Sequence, residues 1–139
     1  MTFCELLNTR SDLLHLAAAT QENVIKAEQA LGVSFSDEYK EYLLSLGVAT
    51  VGSHEFTGIC GSPRLNVVDV TLQERELCGH DCDEMYVVEQ EGIDNLVIWQ
   101  ARDGRVYQTI PGSELELIAL SLVAYLQNDR HHGGSIDAE

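Results

Sequence analysis

The sequence is poor in basic residues. It has 8 lysines and arginines against 23 aspartates and glutamates, and its formal net charge is −15. A surface with this charge repels nucleic acid and anionic lipid, because both are polyanionic. We therefore expect no direct nucleic-acid or membrane ligand, and we expect any protein partner to be basic.

Long apolar runs are also missing. No stretch approaches the ~20 residues that a transmembrane helix needs. The opening residues, Met-Thr-Phe-Cys-Glu, lack the basic region and the long apolar core of a secretory signal peptide. These two absences predict a cytoplasmic protein. In that compartment the four cysteines should be reduced thiols.

Catalytic motifs are the third absence. The chain contains no Gly-x-Ser-x-Gly nucleophile elbow and no glycine-rich phosphate loop followed by lysine. Of the histidines, His54 and His80 are placed where a fold can bring them near acids, and both are expected at the surface. We predict no enzymatic activity and no cofactor.

One cluster carries residue types that bind zinc. Cys78, His80 and Cys82 lie within five residues, and Asp81 stands between them. The spacing is Cys-x3-Cys, and no second Cys or His pair has matching spacing. We predict a polar loop without metal. A metal-dependent enzyme remains the alternative that this cluster would support.

The length and apolar content indicate one folded domain. The chain has 139 residues, of which 45% are hydrophobic, enough to bury a core without staples. We assign a single domain to residues 1–139, with its core at about residues 20–128 and a mobile tail at 131–139.

Residues 24–47 predict a helical hairpin. Val24, Ala27 and Leu31 share one helical face, and Gly32 stands where a helix end favours positive φ. Ser36 is a candidate N-cap for a second helix, which ends at Gly47. That helix carries an apolar seam at spacings of three and four: Tyr39, Tyr42, Leu43 and Leu46.

The remaining segments complete an α+β pattern. We predict a weak helix over residues 2–19 with a Thr2–Glu5 capping box, one or two strands in 50–59 and a helix over 67–77. Three strands should follow at 85–89, 96–101 and 105–110, and then a helix over 113–128 that Ser113 caps. The helical hairpin and the last helix should pack around a mainly antiparallel sheet.

Acidic residues are concentrated in one segment. The 21 residues Glu74–Asp94 carry a net charge of −7, against −8 for the other 118 residues, and Arg75 is their one base. A cluster of like charges costs folding energy, which a cationic partner would offset. A solvated loop is the alternative. The candidate partner-binding residues are Glu74, Glu76, Asp81, Asp83, Glu84, Glu89, Glu91 and Asp94.

The sequence of the helical hairpin resembles the N-terminal segment of proteins of the SUKH superfamily (Smi/Knr-like proteins). The matching residues are Glu28, Leu31, Gly32, Val33, Phe35, Tyr39, Tyr42, Leu43 and Gly47. Later segments also resemble that family in the same order, namely Phe56–Ile59, Asn66–Val68 with Thr71 and Arg75, and Asp103–Tyr107. Ser36 and Val48 depart from it, since proline and glycine are common there.

The resemblance implies an immunity protein, the cytoplasmic antidote to a secreted polymorphic toxin. Toxins paired with this family are often nucleases, whose active sites are basic. The implied partner is therefore a basic toxin domain, bound at the acidic segment. The same fold also occurs in regulatory scaffold proteins, and a non-catalytic scaffold is the alternative reading. The family shares no catalytic motif.

Overall fold

A computed structural model describes residues 1–91, 95–111 and 114–128. The helices in these residues are α1 (Phe3–Asn8), α2 (Gln21–Leu31), α3 (Asp37–Leu46), α4 (Val67–Cys78) and α5 (Leu122–Gln127). The strands are β1 (Leu14–His15), β2 (Ala49–Val51), β3 (His54–Phe56), β4 (Met85–Gln90), β5 (Val97–Ala101), β6 (Val106–Thr109) and β7 (Glu116–Ala119). The expected tail at 131–139 lies outside the described residues.

The helical hairpin is confirmed as α2 and α3. Gly32 ends α2 in the left-handed conformation, with φ at 68°. Ser36 caps α3, since its hydroxyl accepts a hydrogen bond from the Tyr39 backbone N–H at 3.0 Å. The predicted capping box is also present: Thr2 and Glu5 exchange two hydrogen bonds at the start of α1. The weak helix expected after it stops at Asn8, and β1 follows.

All seven strands form one antiparallel sheet. Their order in the sheet is their order in the chain, β1 to β7. The three predicted strands in the second half correspond to β4, β5 and β6. The fold is therefore α+β, as expected from the sequence.

The helix predicted over 113–128 is wrong. Glu116–Ala119 instead pairs with β6 as strand β7, and only Leu122–Gln127 is helical. Ser121 caps this short helix by accepting from the Ala124 N–H at 3.0 Å. A short apolar run is compatible with either a helix or a strand. Here the free edge of β6 offers backbone hydrogen-bond partners, and these stabilise the strand. Ser113 lies outside the described residues.

The sheet has two covered faces of unequal extent. We call the face that packs against α1, α2, α3 and α5 the inner face; it holds most of the buried side chains, including Tyr39, Tyr42 and Leu43. We call the opposite face the outer face. There α4 covers a smaller cluster: Val70, Cys82, Met85, Val87, Val97 and Trp99.

A buried polar network ties the inner helices to the sheet. Gln100 is fully buried, and its amide oxygen accepts from Tyr86 at 2.7 Å and Ser36 at 3.0 Å. Its amide nitrogen donates to Glu38 at 3.0 Å and to the Gly104 carbonyl at 2.9 Å. All hydrogen-bonding positions of the Gln100 amide are therefore used, so burying this amide costs little free energy.

Glu38 also joins α3 to α5. Its carboxylate accepts from the backbone N–H groups of Leu122 at 2.7 Å and Val123 at 3.1 Å. These are free donors of the first turn of α5, where a negative charge is favoured. A side chain in the first turn of α3 therefore caps a helix 84 residues away.

Candidate functional site

Helix α4 is held on the outer face by side chains of its buried stripe. Val67, Val70 and Thr71 face the sheet, and the Thr71 hydroxyl accepts from the Val87 N–H at 2.9 Å. This contact fixes the helix over β4. In the sheet, β6 is the second strand from β4 and β7 is the third.

Arg75 holds α4 to its other neighbours. Its guanidinium donates to the carbonyls of Leu31 at 2.9 Å and Met85 at 3.0 Å. Partial burial lowers the pKa of the Arg75 guanidinium from its ordinary, very high value. The one base of the acidic segment thus donates its hydrogen bonds to carbonyl groups, and Asp83 of the same segment interacts with its charge.

An open groove lies between α4 and the uncovered part of the outer face. We call it the outer groove, and its volume is about 580 Å³. Its lining comes from α4, the 3-10 turn after it, and the ends of β5, β6 and β7: Glu74, Leu77, Cys78, Asp81, Asn95, Val97, Thr109, Ile110, Pro111, Glu114 and Leu115.

The groove combines apolar walls with carboxylates. Leu77 is 81% exposed, the most exposed large apolar side chain of the described residues, although it belongs to a helix that packs against the core. Trp99 lies fully buried beneath the groove, and its indole N–H donates to the Thr109 hydroxyl at 2.9 Å. Three lining residues, Glu74, Asp81 and Glu114, are acidic, and none of the lining residues is basic.

The structure places the predicted partner-binding carboxylates at different sites. Glu74 and Asp81 line the outer groove, and Glu74 accepts a hydrogen bond from the Gln90 side chain. Glu76 is exposed on α4. Glu84 lines a separate depression together with Glu28 and Arg102.

The remaining members lie elsewhere. Asp83 is exposed and lies 3.1 Å from His80 Nδ1. Glu91 is half-buried and accepts from the Tyr125 hydroxyl at 3.3 Å. Asp94 is outside the described residues. Sequence reasoning did not place Glu114 and Leu77 on this surface; it assigned Glu114 to the predicted helix over 113–128 and Leu77 to the predicted helix over 67–77.

Glu89 does not belong to the protein surface. It is 2% exposed, and both of its carboxylate oxygens lie 2.9 Å from His54 Nδ1. A bulge explains the difference: Val87 pairs with Trp99 and Glu89 with Ile98, so Val88 is the extra residue. Strict alternation would place Glu89 on the outer face with Val87, and the bulge turns it to the inner face.

The surface position expected for His54 is also wrong, because His54 and Phe56 share the buried face of β3. His54 is 3% exposed, and the Tyr125 hydroxyl donates to Glu89 Oε1 at 2.5 Å beside it. Burial, and then the Glu89 charge, raise the pKa of Tyr125. These three side chains join β3, β4 and α5 inside the core, and their burial assigns them to the stability of the fold.

The cysteine pair also differs from expectation. Cys78 and Cys82 form a disulfide with their Cα atoms 6.2 Å apart, whereas Cys4 and Cys60 are free. The end of α4 and the 3-10 turn His80–Cys82 bring the two thiols together, within the Cα range of disulfides. Neither sulfur is a thiolate ligand in this state. Among the described residues no group of three His, Cys, Asp or Glu side chains is arranged for a metal ion.

The fold and the groove define a single-domain α+β protein with an acidic and apolar surface on the outer face of its sheet. The chain belongs to the SUKH superfamily: the family model SUKH_5, described as SMI1-KNR4 cell-wall, matches residues 2–128. None of the curated proteins compared with the chain matches it. The family is in general of the immunity type and non-enzymatic. Within the described residues, no helix has the length and apolar character needed to span a bilayer.

Proposed function

We propose that this protein is an immunity protein that binds and neutralises a cognate secreted toxin. The proposed partner is a basic toxin domain, such as a nuclease, whose positive active site attracts phosphates. The proposal assigns no catalysis to the chain itself. Membership of the SUKH superfamily supports the immunity role.

One observation carries the choice of a basic partner. On α4 and the following turn, Glu76, Asp81 and Asp83 are exposed, Glu74 is half-buried, and Leu77 on the same helix is 81% exposed. Arg75 donates its hydrogen bonds to the carbonyls of Leu31 and Met85 and to none of these carboxylates. A binding surface gains most of its affinity from a few apolar anchors, whereas its charges increase the association rate and the specificity. The outer groove presents both, since Leu77 lies beside Glu74 and Asp81.

The charges suit an antidote that must act quickly. Complementary charge raises association rates toward about 10⁸–10⁹ M⁻¹s⁻¹ at low salt, compared with about 10⁵–10⁶ for neutral surfaces. Capture of a toxin before it reaches its substrate depends on this rate. The same carboxylates can occupy positions that the phosphates of a nucleic acid would take in a nuclease site.

The proposal predicts a toxin gene beside this one, and the toxin domain that it encodes is the partner to use in the test. The double variant Glu76→Lys with Asp81→Lys should slow association roughly tenfold at low salt and flatten its salt dependence. The matched control is Glu22→Lys with Glu41→Lys, which changes the net charge equally at exposed positions on α2 and α3. The control should stay within about twofold of the unchanged protein.

Two results would contradict the proposal. Equal slowing of both variants would show that net charge, and not this surface, governs binding. Binding of a partner without any protection of cells against it would favour the regulatory scaffold instead. Stopped-flow association and survival of toxin-expressing cells measure the two quantities.

A further inference from the structure

The outer groove is the least explained feature of the surface. A helix that packs on a sheet normally covers its own apolar residues, yet Leu77 remains 81% exposed at the end of α4. The side chains opposite it are also apolar, since Val97 and Leu115 line the same groove. The groove therefore offers an apolar channel that no described side chain fills.

Carboxylates stand around this channel and come from separate parts of the chain. Glu74 lies on α4, Asp81 on the 3-10 turn and Glu114 just before β7. Three elements thus bring like charges to one cavity without a base among its lining residues. Such an arrangement is unfavourable in the isolated protein and becomes favourable when a cation enters.

We propose that the outer groove receives a basic side chain of the partner protein. Its aliphatic stem would pack against Leu77, Val97 and Leu115, and its charged end would lie among Glu74, Asp81 and Glu114. Arginine fits best, because its planar guanidinium donates five hydrogen bonds to carboxylates and is weakly hydrated. Arginine is also enriched among the residues that dominate interface energies.

The charge of the chain argues against a second copy of itself as the occupant. With a net charge of −15, two acidic grooves brought face to face would repel each other. The inference rests on the proposed function for the identity of the partner. It adds the site, the anchoring residue type and the contacts.

The site is tested without the toxin, using N-acetyl-arginine amide as the probe. N-acetyl-citrulline amide is its neutral control, because citrulline has nearly the same shape and no charge. Methyl NMR signals of Leu77, Val97 and Leu115, and the indole N–H signal of Trp99, report occupancy from within the groove. The arginine probe should shift these signals saturably at concentrations on the order of millimolar, and the citrulline probe at least several-fold less.

Two matched double variants test whether the groove carboxylates bind the arginine probe. Asp81→Asn with Glu114→Gln should reduce the shifts produced by the arginine probe several-fold, whereas Glu22→Gln with Glu41→Gln should leave them unchanged. Both pairs remove the same net charge. Circular dichroism shows that each variant is folded, and the groove pair is exposed, so its folding is not at risk.

Each outcome decides for or against the inference. Equal shifts with citrulline, shifts confined to another surface, or no shifts at all would overturn it. Concentration-dependent self-association detected by sedimentation, and lost in the groove variant, would identify a second copy as the occupant and would also overturn it. If the probe binds as expected but the protein gives no protection against any toxin, the site stands and the proposed function fails.

Discussion

Replacement of Glu38 by alanine tests the hydrogen bonds that join α3 to α5. The substitution removes three hydrogen bonds, from Leu122 N, Val123 N and Gln100 Nε2, at 2.7, 3.1 and 3.0 Å. Leu122 and Gln100 are fully buried, so water cannot easily replace the lost acceptor for either donor. Val123 is half-buried and can be rehydrated.

The expected loss follows from these contacts. A hydrogen bond to a charged group contributes about 1.5–3 kcal/mol, and a lost helix cap costs about 0.5–2 kcal/mol. Two buried donors left without an acceptor should therefore lower the free energy of unfolding by about 3 kcal/mol. For a chain of this length that corresponds to a fall in Tm of about 10 °C.

Urea unfolding followed by circular dichroism and Trp99 fluorescence measures the loss. The control is Glu41→Ala, an exposed glutamate on the same helix, which should change stability by less than about 0.5 kcal/mol. Glu38→Gln should fall between the two, because its amide oxygen still accepts one bond. If Glu38→Ala costs no more than Glu41→Ala, the carboxylate does not hold α5 in place.

Two further predictions concern ionisation and oxidation. Burial raises the pKa of four tyrosines, which ionise near pH ~10 when unfolded; the stability that this provides is complete below that pH and falls above it, by up to about 1.4 kcal/mol per pH unit for each tyrosine. These four are Tyr39, Tyr42, Tyr86 and Tyr125. Urea unfolding of a Tyr107→Phe variant, which lacks the fifth tyrosine of the chain, at a series of alkaline pH values should show this steep loss, with tyrosinate absorbance appearing only on unfolding. Absorbance before unfolding in that variant would contradict the prediction. Thiol titration of the denatured, unreduced protein should find two free thiols, because Cys78 and Cys82 are joined, and a count of four would show the pair reduced.

The helical parts of the fold could be predicted because their signals are local. Gly32 and Ser36 mark the ends of α2 and α3 through conformational preference and capping, which depend only on neighbouring residues. The strand β7 could not be predicted in this way. Glu116–Ala119 adopts its conformation by pairing with β6, and that pairing is invisible to periodicity within the segment.

The candidate site was accessible to sequence reasoning only in part. The excess negative charge of residues 74–94 is counted directly from the sequence and needs no structure. Which of its carboxylates share a surface depends on the bulge at Val88, which turns Glu89 inward, and on the placement of Glu84 beside Arg102. Glu114 joins Glu74 and Asp81 in the groove lining because the segment before β7, the strand that pairs with β6, lies there.

The order of the strands has a consequence for how the protein is made. Because β1 to β7 are adjacent in the sheet in the order of synthesis, each strand can pair with its predecessor as it leaves the ribosome. Contacts between distant parts of the chain wait longer: the bond of Ser36 to Gln100 spans 64 residues, and that of Glu38 to Leu122 on α5 spans 84. The sheet can therefore grow strand by strand, while the hydrogen bonds that hold α5 against α3 wait for the synthesis of α5.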